Sequence, residues 1–118
     1  MAGVTGLGGV FFKVADPAAT RAWYAAHLGM AVDDFGCTFA PDAGTAIWSP
    51  FAATTDYFKP SDQPFMINLR VDDLDALLVE LRAAGVTLVG EPLDESYGKF
   101  AWILDCDGYK VELYQPKS

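Results

Sequence analysis

A chain of 118 residues, 52% hydrophobic and 14% aromatic, has the length and composition of one folded domain with a core of its own. Its sixteen acidic against eight basic side chains give a net charge of −8, which repels phosphate backbones and anionic lipid, so nucleic acid is excluded as a partner. No apolar run reaches the roughly 20 residues of a membrane-spanning helix, which excludes a membrane partner of that kind.

The first residues, MAGVTGLGG, lack the basic flank and apolar segment of a secretory signal, and Cys37 and Cys106 have neither disulfide-framework nor metal-ligand spacing. The expected location is the cytoplasm. GLGG at 6–9 precedes a strand and opens no helix, so it is not a phosphate loop. GVFFKVA, residues 9–15, reads as a strand. Asp16-Pro17 then supplies an N-cap and the proline favoured at a first helical position. The helix carries Trp23, Tyr24, His27 and Leu28 at helical spacing and ends at Gly29; His27 reads as a packing or capping residue there. Strands are expected at about 30–35, 37–41 and 44–49, which makes the first half βαβββ.

Residues 50–64, PFAATTDYFKPSDQP, are proline-rich and aperiodic, a connection long enough to pack over a site. Tyr57 to Ser61, with the later Tyr97-Gly98-Lys99, read as a cavity rim or as solvated loop. FMINLRV reads as a strand. Asp72 or Asp73 caps a second helix, whose Leu74, Leu77, Leu78 and Leu81 share one face before Gly85 ends it. Strands follow at about 86–90, 99–104 and 109–115, the last two joined by Asp105-Cys106-Asp107-Gly108, a hairpin signal with too few ligands for a calcium loop.

The order of elements repeats. Lys13-Val14-Ala15-Asp16 corresponds to Arg70-Val71-Asp72-Asp73, His27-Leu28-Gly29 to Ala83-Ala84-Gly85, and Gly44 through Trp48 to Gly108 through Glu112. An internal duplication gives one α+β domain over 1–118: a module at about 7–50, the connecting segment 50–64, and a module at about 65–116. Strand alternation places Val10, Phe12 and Val14 toward a helix and Gly9, Phe11 and Lys13 away from it. Phe65, Ile67, Leu69 and Val71 similarly oppose Met66, Asn68 and Arg70, while Tyr109, Val111 and Leu113 oppose Lys110, Glu112 and Tyr114. Glu112 therefore lies on the face left over once the helices are packed. There it forms an ion pair with Arg70 or Lys13, or joins Lys13, Asn68 and Arg70 as the convergent polar groups of a pocket lined by Trp48 and Trp102, with Phe11 and Phe39.

FFKVADPAATRAWYAAHLGM and the closing FAWILDCDGYKVELYQP resemble the first strand-helix unit and the terminal hairpin of the glyoxalase, bleomycin-resistance and extradiol-dioxygenase proteins, the vicinal oxygen chelate superfamily. Cys106 stands where that hairpin usually has proline. The resemblance implies two βαβββ modules around a U-shaped cavity, assembly as a homodimer, and four metal-ligand positions that fall here on Gly9, Trp48, Met66 and Glu112. Only Glu112 has a side chain suited to a divalent metal. The expected function is binding of a small, anionic, partly apolar molecule with no cofactor, through Lys13, Trp48, Asn68, Arg70, Trp102 and Glu112. The alternative is a metal-dependent glyoxalase-type lyase, isomerase or dioxygenase with Glu112 as catalytic ligand or base. A purely structural or interaction protein is the third class.

Overall fold

The computed structural model describes residues 10–39 and 46–117. Helix α1, Pro17–Leu28, starts where Asp16 adopts an extended backbone and its carboxylate accepts from the Ala19 N–H at 3.2 Å. It ends at Gly29, whose φ of 65° is the left-handed conformation that glycine adopts without a Cβ clash. Helix α2, Leu74–Ala83, is capped by Asp73 through the Ala76 N–H at 3.1 Å. The Leu74 N–H, left without a partner by helical geometry, donates to Gln115 Oε1 at 2.7 Å and so fastens the helix start to the last strand.

Two sheets form among the described residues, and with the two helices they make a mixed α+β fold. β1, Val32–Asp33, pairs with β2, Gly36–Cys37, around a turn in which Asp33 Oδ1 accepts from the Phe35 and Gly36 N–H groups. The larger sheet comprises β3, Ile67–Arg70; β4, Leu93–Glu95; β5, Gly98–Leu104; and β6, Lys110–Pro116, in the order β3-β6-β5-β4. β3 runs parallel to β6, and the other neighbours are antiparallel. One face of this sheet presents Ala101, Ile103, Val111 and Leu113 to Leu74, Leu78 and Leu81 of α2 and Tyr24 of α1, and these residues are the buried core.

The hairpin before β6 also holds α1. Asp105 Oδ1 accepts from the Asp107 and Tyr109 N–H groups at 2.8 and 2.9 Å, closing the turn, while Asp105 Oδ2 accepts from the Tyr24 hydroxyl at 2.5 Å. Thr20 Oγ1 donates to Asp107 Oδ2 alongside. Burial, followed by the bond to Asp105, pushes the Tyr24 phenol well above its ordinary pKa, so it remains a donor.

The first half departs from the expected βαβββ. Residues 10–15 form no strand; the segment is held by Phe12, packed on the rings of Phe65 and Tyr109, and by the Tyr109 hydroxyl, which donates to the Lys13 carbonyl at 2.5 Å. Residues 46–49 are likewise outside any strand, and 40–45, with Gly9, lie outside the described residues. The expected strands at 30–35 and 37–41 shorten to β1 and β2. The physical reason is the lack of a partner among the described residues: Phe11 and Phe35 are both 97% exposed, and β-propensity without a ladder to join does not hold a strand. The expected strand at 86–90 is reduced to a bridge between Leu88 and Ile103. β4 was hidden in the sequence because its three residues are exposed and two are acidic, a composition suited to a protected sheet edge.

Candidate functional site: a carboxylate and an ammonium on the open sheet face

The face of the sheet opposite the helices is organised in rungs. Register places Asn68 of β3 and Trp102 of β5 on either side of Glu112 of β6, and Arg70 and Phe100 on either side of Tyr114 one rung along. Because all of these positions share the parity of Glu112, their side chains emerge on the same face. The Asn68 amide donates to Glu112 Oε1 at 2.6 Å, and the Trp102 indole N–H donates to Oε2 at 2.8 Å. A third donor comes from the 50–64 segment: the Tyr57 hydroxyl also donates to Oε2. Glu112 is only 8% exposed, and a carboxylate so placed needs such donors to offset lost hydration.

Lys110, two residues earlier on the same strand, faces the same way and is 7% exposed. Its Nζ donates to the Tyr57 carbonyl at 2.5 Å and stands 5.1 Å from the Tyr57 ring centroid and 5.8 Å from that of Trp102. Burial lowers the Lys110 pKa, and the Glu112 charge opposes that shift. The Tyr57 phenol moves the other way, pushed up to about 12 by burial first and then by its bond to Glu112. The Tyr57 phenol therefore stays protonated and serves as a donor at neutral pH.

Turns carry Tyr57 to this position. Thr55, Lys59 and Ser61 donate backbone N–H groups to the carbonyls of Ala52, Asp56 and Phe58, and Thr55 Oγ1 accepts from the Tyr57 N–H. Phe51 stacks on the Tyr57 ring, with centroids 5.7 Å apart and planes 10° from parallel, and Trp102 meets that ring edge-on at 6.2 Å.

Three of the residues anticipated from sequence thus share one rung: Asn68, Trp102 and Glu112. Arg70 is one rung away and borders an open groove of about 540 Å³ with His27, Asp72, Asp73 and Glu80, between the end of α1 and the start of α2. Lys13 is exposed, its backbone carbonyl serving Tyr109, and Trp48 is 79% exposed. Lys110 was on the correct face in the sequence but had no role there. Its signal was the Lys-Val-Glu spacing, which aims two opposite charges at one face. Tyr57 gave only a general rim signal.

Of the four metal-ligand positions, Gly9 lies outside the described residues, Trp48 points an indole toward solvent, and Met66 offers a thioether. At Glu112, N–H and O–H hydrogens rather than lone pairs converge on both oxygens. Among the described residues no three His, Cys, Asp or Glu side chains cluster as a metal site, and this donor set does not fit a divalent ion.

The paired helices, the β3-β6-β5-β4 sheet and the carboxylate on its open face define a fold class that comparison with known proteins identifies. The chain belongs to the Glyoxalase/Bleomycin resistance protein/Dioxygenase superfamily, whose family model matches residues 6–113. Among solved structures it is similar to a protein from the mobile metagenome of V. Pseudocholerae, with 18% identity over 100% of this chain and 99% of the other and a TM-score of 0.68. A glyoxylase/bleomycin resistance protein/dioxygenase domain from Frankia sp. EAN1pec matches at 17% identity over 98% and 95% of the two chains, TM-score 0.61. TnmS3, an antibiotic binding protein from Streptomyces sp. CB03234, matches at 24% identity over 88% and 89%, TM-score 0.56. With a structure described as a conserved domain protein, the match takes in 45% of this chain and 47% of the other. No curated protein is similar enough in sequence to register as a relative.

Proposed function

We propose that the chain is a cytoplasmic, homodimeric binding protein that holds a small, anionic, partly apolar molecule on the open face of the larger sheet and uses no metal. The observation that carries this reading is Lys110: an ammonium 7% exposed, set against the faces of Tyr57 and Trp102 and beside a hydrogen-bonded carboxylate. A lysine buried for packing alone loses hydration without return, whereas here it offers charge to a ligand anion while aromatic walls take the apolar part. TnmS3, described as antibiotic binding, supports binding over catalysis within this fold. The exposed Phe11, Phe35, Ile47 and Trp48 support a second copy covering the first half of the chain.

The test is calorimetric titration with naphthalene-2-sulfonate, an aromatic anion with no hydroxyl group. Binding to the wild type that is lost in Lys110→Met and weakened in Arg70→Ala is expected; equal binding by wild type and Lys110→Met overturns the reading. Sedimentation velocity checks the dimer. Elemental mass spectrometry after exposure to zinc, nickel, manganese and iron(II) checks the metal, and stoichiometric metal dependent on Glu112 would move the protein among the metal-dependent enzymes.

A further inference from the structure

We propose that Tyr57 occupies the ligand's own place, and that the ligand is a phenol bearing an oxygen acceptor or anion across the ring from its hydroxyl, which binds by displacing Tyr57. This rests on reading the sheet face as a binding site and adds the ligand's chemistry to it.

Tyr57 makes three contacts there, and each can be reproduced by a small molecule. Its hydroxyl donates to Glu112 Oε2, its ring lies between Phe51 and Trp102, and its carbonyl oxygen accepts from Lys110 at 2.5 Å. The two polar contacts are of opposite sense, and they fix an orientation. A carboxylate already serving Asn68 and Trp102 takes a further donor and repels an anion, so the hydroxyl goes to Glu112 and the acceptor to Lys110. A phenol suits the first position because burial and a bond to a carboxylate together keep it protonated, as they do Tyr57.

Release of Tyr57 breaks no strand ladder. The residue is 39% exposed, belongs to a segment of turns, and is the cover rather than the floor of the site, whereas Asn68, Trp102, Lys110 and Glu112 are all fixed on strands. The segment therefore competes with a ligand intramolecularly, and apparent affinity falls by the fraction of molecules in which Tyr57 has left.

The test compares 4-hydroxyphenylacetate with phenylacetate by calorimetry on the wild type, Tyr57→Ala and Tyr57→Phe. Removing the competing hydroxyl and ring, with the main-chain carbonyl retained, should tighten 4-hydroxyphenylacetate binding by about ten-fold or more in Tyr57→Ala, and by a smaller factor in Tyr57→Phe, which keeps the ring and guards against a folding defect in the alanine variant. Phenylacetate should bind Tyr57→Ala at least about ten-fold more weakly than its hydroxylated counterpart, and the difference should vanish on adding Glu112→Ala, which removes the acceptor. In the wild type, 4-hydroxyphenylacetate should shift the Tyr57 ring resonances, assigned by their loss in Tyr57→Phe. Unchanged affinity in both Tyr57 variants, or equal binding of the two acids, overturns the proposal. If naphthalene-2-sulfonate still binds through Lys110 in that case, the proposed function stands and only self-occupancy falls. If neither acid nor the sulfonate binds any of these proteins, both fall.

Discussion

Replacing Glu112 by alanine and by glutamine should destabilise to very different extents for one geometric reason. Alanine leaves the Trp102 N–H and the Asn68 amide without their acceptor and frees the Tyr57 hydroxyl, which at 39% residue exposure turns to water. A donor left unsatisfied away from water costs about 1–3 kcal/mol; with Trp102 charged in full, Asn68 in part and a small cavity added, the loss comes to about 2–4 kcal/mol. For a chain of this size that lowers the melting temperature by roughly 8–16 °C. Glutamine can place its carbonyl where Oε2 was, keeping Trp102 and Tyr57, and turn its amide toward Asn68, which flips to accept. All three contacts survive without a buried charge, so the cost stays below about 1 kcal/mol. Urea unfolding at fixed protein concentration, with the m value compared across the three proteins, measures both. Equal destabilisation by alanine and glutamine, or an alanine cost below about 0.5 kcal/mol, would refute the claim that hydrogen bonding to this carboxylate organises the face.

Tyr24→Phe removes the hydroxyl that holds α1 to Asp105 and should lower stability by about 1–2 kcal/mol in the same assay. Gly98→Ala builds a Cβ 2.5 Å from Tyr114 Cε1 and 3.1 Å from the Gln115 carbonyl, so the Tyr114–Phe100 stack must shift; a loss of about 1–3 kcal/mol is expected, and a neutral result would mean that this stack is loose. Tyr57 titrates near 10.0 when unfolded and about 12 when folded, so its contribution is complete below pH 10 and is lost as pH rises toward 12. Tyr24 acts in the same direction, and unfolding followed from pH 9 to 12 should show stability falling through that window, less steeply in Tyr57→Phe.

The second half of the fold was legible because its signals are local. Asp73, Gly85 and the Asp107-Gly108 turn act through neighbouring backbone, and alternation in 109–115 sorted Val111 and Leu113 from Lys110 and Glu112 without knowledge of the sheet. The first half was less legible because a strand is completed by its partner: GVFFKVA has the composition of one, yet residues 10–15 join no ladder. At the site, Asn68, Trp102 and Glu112 could be aligned from strand parity alone. Trp48 was aligned by the same rule, yet residues 46–49 join no strand and Trp48 is exposed. Tyr57 escaped because an aperiodic segment has no face to read, and Lys110 because lysine at a strand position ordinarily points to water.

β6 is buried on both faces: Val111 and Leu113 against the helices, Lys110 and Glu112 on the other side. A central strand in that situation is usually apolar throughout, since each charge removed from water must find compensation. Here the compensation is partly borrowed from Tyr57, which supplies an acceptor to the ammonium and a donor to the carboxylate. When Tyr57 leaves, water can replace both contacts, so opening this face costs less than uncovering an apolar one of equal area. Charge on the face therefore does more than attract a ligand; it makes the cover removable, whereas a sheet covered only by apolar packing would keep the 50–64 segment as part of its core.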